Sequence, residues 1–234
     1  MNSTLAIIIA TRNRVQALEQ YSLSSLARSD FQDFICLIWD ASEDDSTCVL
    51  AHDERWKFPL EYHKAQRPGS ASQRNDAVGH VLDHYPSVRY ILFIDDDCEL
   101  YPGALEGVLQ SFEDPSVWGV GIPILSHLKE RNHTWGRTRR RYVTSYMKPV
   151  NIRPERNGDV VEWLVGCSMA FRIEAFRNLR LCFPEAFQRF GGYALSEDVA
   201  LSYGLYKIEG HKLILSLSGT LYPHSASGGR LDLL

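Results

Sequence analysis

The chain has 234 residues, 44% hydrophobic and 23% charged, with a formal net charge of −4. That length allows one domain with a substantial core, the composition is that of a soluble globular protein, and the acid excess argues against nucleic acid as a partner. No stretch approaches the ~20 apolar residues of a membrane helix, so membrane contact, if any, is peripheral.

Leu5 to Ala10 is a short apolar run without a basic lead or a cleavage site, and it is expected to be a first strand rather than a signal. Val15 to Leu26 carries Val15, Leu18, Tyr21 or Ser22, and Leu26 at helical spacing. Phe34 to Trp39 predicts a second strand ending at Asp40. A weak helix around Val49, Leu50 and Trp56 follows, then a short strand over Leu60 to His63. Ser70 to Leu82 makes a helical stripe of Ala71, Asn75, Val78 and Leu82, and Tyr90 to Ile94 predicts a strand buried on both faces. This alternation predicts an α/β fold with a Rossmann-like, mostly parallel central sheet and helices on both faces. Beyond it lie a helix over Gly103 to Phe112, a strand over Val117 to Ile124, and about thirty polar and basic residues to Asn157. Trp163 to Phe171 is expected as a strand, Ser196 to Ile208 as a helix, and Lys212 to Leu217 as a last strand. The five cysteines are scattered, without CxxC spacing, and fit core thiols in a reduced, cytoplasmic compartment.

In an open parallel sheet, ligands sit beyond the carboxyl ends of the strands. Thr11 to Arg14, Asp40 to Asp45, and Asp95 to Asp97 all follow strand ends and are expected to converge there. Three adjacent carboxylates repel one another and call for a cation or for ligand hydrogen-bond donors; the alternative is a solvated acidic turn capping the helix near Pro102. Thr11, Arg12, Asn13 and Arg14 suit an anionic or nucleotide ligand at a helix start, or simply cap that helix. Asp40 can accept an imide N–H from a base or cap the next turn. Gly69 opens the next helix and Arg74 lies one turn in, able to neutralise an acid of the triplet or to bind phosphate. Ser196 makes a helix start with Glu197 and Asp198 in its first turn, and a carboxylate there can serve as a general base. Gly191-Gly192-Tyr193 upstream is a flexible approach able to seat a substrate. His224, in a loop of small residues, offers imidazole to an Mn²⁺-like ion.

In this order, Thr-Arg-Asn-Arg, Trp-Asp-Ala-Ser, Gln-Arg-Asn-Asp, Ile-Asp-Asp-Asp, Gly-Cys-Ser-Met-Ala-Phe-Arg, Ser-Glu-Asp-Val and the late His224 resemble the family 2 glycosyltransferases, from Leu5 to about Gly229. The resemblance implies the GT-A fold over residues 1–234, with 1–100 a nucleotide-binding half and 101–234 an acceptor-binding half. It implies a nucleoside-diphosphate sugar donor, UDP- or dTDP-linked, a Mn²⁺ or Mg²⁺ ion, and a glycan, glycolipid or other hydroxyl acceptor. By the same likeness Asp97 and His224, with Asp95, hold the metal. Thr11 to Arg14, Asp40, Ala41, Gly69, Arg74, Asp95 and Asp96 face the nucleotide, and Gly166 and Cys167 line the sugar pocket. Asp198 takes the acceptor proton with Glu197 beside it, in a single inverting displacement. The basic run Arg137, Arg139, Arg140 and Arg141 either attracts an anionic acceptor or is a solvated loop. The competing enzyme class is a nucleotidyltransferase, disfavoured because Thr11 to Arg14 contains no glycine; a noncatalytic nucleotide- or carbohydrate-binding protein on the same fold is the other alternative.

Overall fold

The computed structural model describes residues 3–124, 142–143, 149–150, 158–188, 197–208 and 210–224. Its first half supplies strands β1 (Leu5–Thr11), β2 (Phe34–Asp40), β3 (Leu60–Lys64), β4 (Tyr90–Asp95), β5 (Cys98–Leu100) and β6 (Val117–Gly121). The second half adds β7 (Tyr142–Val143), β8 (Pro149–Val150), β9 (Val160–Val161), β10 (Ser168–Arg172), β11 (Lys212–Leu215) and β12 (Leu221–Pro223). Eight strands form one sheet in the order β3-β2-β1-β4-β10-β6-β11-β9. β3, β2, β1 and β4 are mutually parallel, β10 is antiparallel to both β4 and β6, and β11 is parallel to β6.

Alternation of side chains divides the core between the two faces of the sheet. Leu5, Ile7 and Ile9 pack on one side with Leu18, Leu23 and Leu26, whereas Ala6 and Ile8 pack on the other with Ala71, Ala77, Val78 and Val81. The first group of partners comes from a continuous helix made of α1 (Val15–Ala17), a π-helical turn (Leu18–Leu23) and α2 (Ser24–Ala27). The second comes from α4 (Ser70–His84), which follows the short α3 (Ser46–Ala51). Three further helices complete the layers: α5 (Ala104–Ser111), α6 (Ile173–Arg177) and α7 (Glu197–Tyr206). On the α4 side, Phe93 lies edge-on to Phe171, Phe176 and Phe183 at 5.0–6.3 Å. Truncating such a ring costs about 3–5 kcal/mol. No helix among the described residues is long and apolar enough to cross a membrane.

Several expected elements differ. Trp163 to Cys167 is not strand: the chain turns there, with Ser168 N–H donating to Val165 O at 3.0 Å, and only Ser168–Arg172 joins the sheet. The apolar run begins before the turn because Leu164 is buried in the core on the α4 side of the sheet, so hydrophobicity alone could not locate the strand start. The sixth strand stops at Gly121, and Ile124 makes only an isolated bridge to Leu221. Trp56 lies outside the helix expected around it, with its indole N–H donating to Leu50 O. β5 and β12, which pair antiparallel, were not anticipated. Ser196, Gly191 to Tyr193 and the basic run Arg137 to Arg141 lie outside the described residues.

Candidate active site

Strand register places Thr11 opposite Asp40 and Ala10 opposite Asp95, so the ends of β1, β2 and β4 form one row. Thr11 donates its hydroxyl to Asp96 Oδ2 at 2.7 Å. Asn13 adopts a positive φ of 55°, a conformation Asn tolerates better than most residues. This turn points its N–H at Ser42 Oγ, 2.8 Å away, while Asn13 Oδ1 accepts from Glu43 N–H at 3.1 Å. Arg12, at the exposed rim, pairs with Glu43 at 2.6 Å.

Arg14 sits deeper. One guanidinium nitrogen lies 2.7 Å from Asp96 Oδ1 and the other 2.6 Å from Asp97 Oδ2. Asp96 and Asp97 are buried. Burial pushes the Asp96 carboxyl up to about 7, against the pull of Arg14 and the Thr11 hydrogen bond. Burial also acts on Arg14, but the surrounding aspartates win and raise its pKa. The arginine therefore supplies the positive charge that two buried carboxylates require.

The π-helical turn bears on this same corner. Ser22 Oγ donates within 2.9–3.0 Å of the backbone oxygens of Asp95 and Cys98, clasping the two ends of the acidic turn. Tyr21 stacks on the His224 ring, centroids 3.7 Å apart. His224 N–H donates to Asp97 O at 2.8 Å, so the late histidine is brought to the acidic triplet through the backbone. Its imidazole Nε2 lies 3.0 Å from Glu99 Oε2 rather than against the Asp97 carboxylate. The Cys98 thiol donates to Asp97 Oδ1 at 3.8 Å, and the neighbouring Cys167 thiol together with burial pushes it well above the usual thiol range.

Asp40 is fully buried, and its oxygens accept from Ser42 N–H at 2.9 Å, from the Ser42 hydroxyl, and from Tyr62 OH at 3.0 Å. Ala41 N–H donates to Thr11 O at 3.0 Å, joining the ends of β1 and β2. Gln73 completes that joint: its amide donates to Thr11 O at 3.0 Å and to Trp39 O at 2.6 Å. Gly69 O accepts from Gln73 N–H, and a φ of 135° there suits glycine at the turn into α4. Gln73, Ser42 and Tyr62 were not singled out from sequence, although the first two stand inside the quoted Gln-Arg-Asn-Asp and Trp-Asp-Ala-Ser motifs.

Arg74 is the hub between the two halves. It is buried, and it donates to Asp95 Oδ1 at 2.9 Å, to Glu197 Oε1 at 3.0 Å and to Gly166 O at 3.2 Å. Ser70 Oγ adds a 3.1 Å bond to the same Glu197 oxygen. Asp198 Oδ2 accepts the Gly166 N–H at 2.6 Å. Burial and the neighbouring Glu197 push the Asp198 carboxyl up to about 6. Asp95, Arg74, Gly166, Glu197 and Asp198 thus form one connected patch. Thr11, Arg14, Asp96 and Asp97 lie along the row from it, and Asp40 shares the far end with Ala41 and Ser42. Among the described residues the acidic corner does not bring three ligand atoms together: Asp96 and Asp97 are already paired with Arg14, so a divalent ion there would require Arg14 to yield or share the Asp97 carboxylate.

The family profile described as "Glycosyl transferase family 2" matches residues 6–180. A curated relative, the GalNAc(5)-diNAcBac-PP-undecaprenol beta-1,3-glucosyltransferase of Campylobacter jejuni, is 31% identical over 111 residues, covering 45% of this chain and 33% of that protein. Among solved structures, S. aureus TarS 1-349 in complex with UDP-GlcNAc superposes with a TM-score of 0.65 at 14% identity, covering 97% of this chain and 60% of that one. The mannosyltransferase PcManGT from Pyrobaculum calidifontis, in complex with GDP-Man and Mn²⁺, gives 0.63 at 15% identity, covering 98% and 59%. GalNAc-T7 with UDP, GalNAc and Mn²⁺ gives 0.70 at 15%, covering 94% and 44%. The chain therefore spans less than two thirds of each of these proteins, and the structural likeness speaks to fold.

Proposed function

The chain belongs to the family 2 glycosyltransferases, and from that premise we propose that it moves a sugar from a nucleoside diphosphate, UDP- or dTDP-linked, to an acceptor hydroxyl by metal-dependent, inverting displacement. The observation that carries this reading is Asp198: a carboxylate raised to about 6 and oriented by the Gly166 N–H, joined through Gly166 and Arg74 to Asp95 at the mouth of β4. Such a group is ionised at neutral pH yet basic enough to take a proton from a hydroxyl.

In this reading residues 1–100 hold the nucleotide. The turn from Thr11 to Arg14 faces the diphosphate and base, and Asp40 acts through Ser42 and Ala41 by fixing the turn that meets the base. Asp95 faces the ribose side, and Gly166 and Cys167 line the sugar pocket. Asp97 and His224, with Asp95, would hold a divalent ion once Arg14 yields or shares Asp97 and the His224 imidazole turns from Glu99. Mn²⁺ or Mg²⁺ bound there would stabilise the negative charge that develops on the departing diphosphate. Asp198 accepts the acceptor proton, and Glu197, fixed by Arg74 and Ser70, orients the acceptor or sugar. Residues 101–234 form the acceptor side. The named substrate of the Campylobacter relative supports a lipid-linked glycan as acceptor, and in this reading the chain works at the inner face of a membrane.

Asp198→Asn keeps the shape and the Gly166 contact but removes the base. Transfer is expected to fall about 10²- to 10⁴-fold while donor affinity holds, measured by product formation and by calorimetric titration of the sugar nucleotide. Undiminished transfer with intact donor binding would remove the proposed mechanism.

A further inference from the structure

Beside the catalytic crevice, the edge strand β3 and helix α4 build a second constellation. Glu61 and His63 are two apart on β3 and point to the α4 face; His80 comes down from α4. Both imidazole Nε2 atoms lie 3.2 Å from the same carboxylate oxygen, Glu61 Oε2, and the three ligand atoms lie within 4.8 Å of one another. Ligands about 2.0–2.1 Å from a tetrahedral ion are separated by about 3.3 Å, close to the two 3.2 Å edges found here.

The surroundings hold these side chains in place. His63 stacks on Trp39, centroids 4.3 Å apart at 18°, and His84 stacks on His80 at 4.2 Å and 22°. Tyr85 OH donates to the other oxygen, Glu61 Oε1, leaving Oε2 to face both imidazoles. The cluster is half-buried, so an ion and a water can reach it. His80 lies six residues along α4 from Arg74, about 9 Å of helix.

We propose that Glu61, His63 and His80 bind a divalent transition-metal ion of the zinc class, separate from the donor site, which staples the edge strand β3 to α4. Two imidazoles and one carboxylate prefer Zn²⁺, Ni²⁺ or Cu²⁺, whereas the oxygen-rich corner at Asp95 to Asp97 prefers Mn²⁺ or Mg²⁺. The two sites are therefore separable by the metal offered.

The test is titration of the metal-free full chain with Zn²⁺ by calorimetry, with Co²⁺ absorption as a report of tetrahedral nitrogen and oxygen ligation. Wild type and Asp97→Asn are expected to bind one equivalent that raises the melting temperature. His63→Gln/His80→Gln is expected to weaken that binding about 100-fold or more, and Tyr85→Phe about tenfold, since partners of the ligands tune affinity on that scale. Transfer measured with Mn²⁺ stays unchanged in the double variant. Glu61→Gln keeps the packing, so its Co²⁺ spectrum decides the matter if the double variant fails to fold. Absence of Zn²⁺ binding in wild type, loss of the tight equivalent in Asp97→Asn, or unchanged Zn²⁺ affinity and Co²⁺ spectrum in Glu61→Gln and the double variant would overturn the proposal.

Discussion

Replacing Arg74 by methionine tests the hub of the site. The side chain is 6% exposed; of its two carboxylate partners Glu197 is equally buried at 8%, whereas Asp95 is 30% exposed. Stranding one partner of a buried ion pair costs about 3–5 kcal/mol, whereas an exposed pair contributes at most about 1 kcal/mol. Nearly all the loss should therefore arise at Glu197, which among the described residues keeps the Ser70 hydroxyl. Urea unfolding of Arg74→Met should show a loss of about 3–5 kcal/mol. Adding Glu197→Gln should recover about 2 kcal/mol, because the stranded charge is gone. Arg74 is also one of the groups holding the Asp198 pKa down. If Asp198 is the base, the acid limb of the wild-type rate profile is expected near pH 6, and removing Arg74 should move it to higher pH. A cost below about 1 kcal/mol, an additive double-mutant cycle, and an unmoved acid limb would together refute this account of the hub.

Three further outcomes follow from the same contacts. A methyl group at Gly166 would stand 3.0 Å from Asp198 Oδ2 and 3.2 Å from its Cβ, so Gly166→Ala should push the carboxylate aside and lower kcat about tenfold, with donor KM little changed. Gln73→Leu removes the buried side-chain donor to Trp39 O and one of the two donors to Thr11 O, which keeps the Ala41 N–H; a loss of about 1–3 kcal/mol by urea unfolding, with weaker nucleotide binding, is expected. Asp198→Asn should be more stable than wild type near neutral pH. A pKa raised from 3.8 to about 6 makes the folded state bind the extra proton, so stability present below the unfolded pKa is lost as pH rises through about 6. Melting curves should show the variant ahead by on the order of 1–3 kcal/mol at neutral pH and level with wild type below about pH 4.

The parallel half of the fold was legible because its strands are buried on both faces, so Leu5 to Ala10, Phe34 to Trp39 and Tyr90 to Ile94 stand out as continuous apolar runs. Their polar ends marked the crevice for the same reason: Thr11, Asp40 and Asp95 interrupt those runs at the strand ends that the register aligns. The second half was less legible. Leu164 is as buried as strand residues but lies in irregular chain before the turn at Gly166 and Cys167, and nothing in the spacing of Trp163 to Phe171 distinguishes the two. The π-helical turn was invisible because Leu18, Ser22 and Leu26 fit an ordinary helix equally well, while its effect is to aim Ser22 and Tyr21 at the acidic corner. Partners far apart in sequence were out of reach as well. Gln73 bonding to Trp39, Arg74 to Glu197, and His80 meeting Glu61 depend on tertiary placement that no local pattern encodes.

The central claim is that the crevice at the ends of β1, β2 and β4 grips a sugar nucleotide through Asp97 and a divalent ion. Calorimetric titration of the full chain and of Asp97→Asn with a panel of uridine, thymidine and guanosine diphosphate sugars, with and without Mn²⁺, tests it most directly. The account predicts that a uridine or thymidine diphosphate sugar binds the wild type only when Mn²⁺ is present and fails to bind Asp97→Asn. Binding that ignores both the metal and the substitution, or no binding of any sugar nucleotide with Mn²⁺ present, would contradict it.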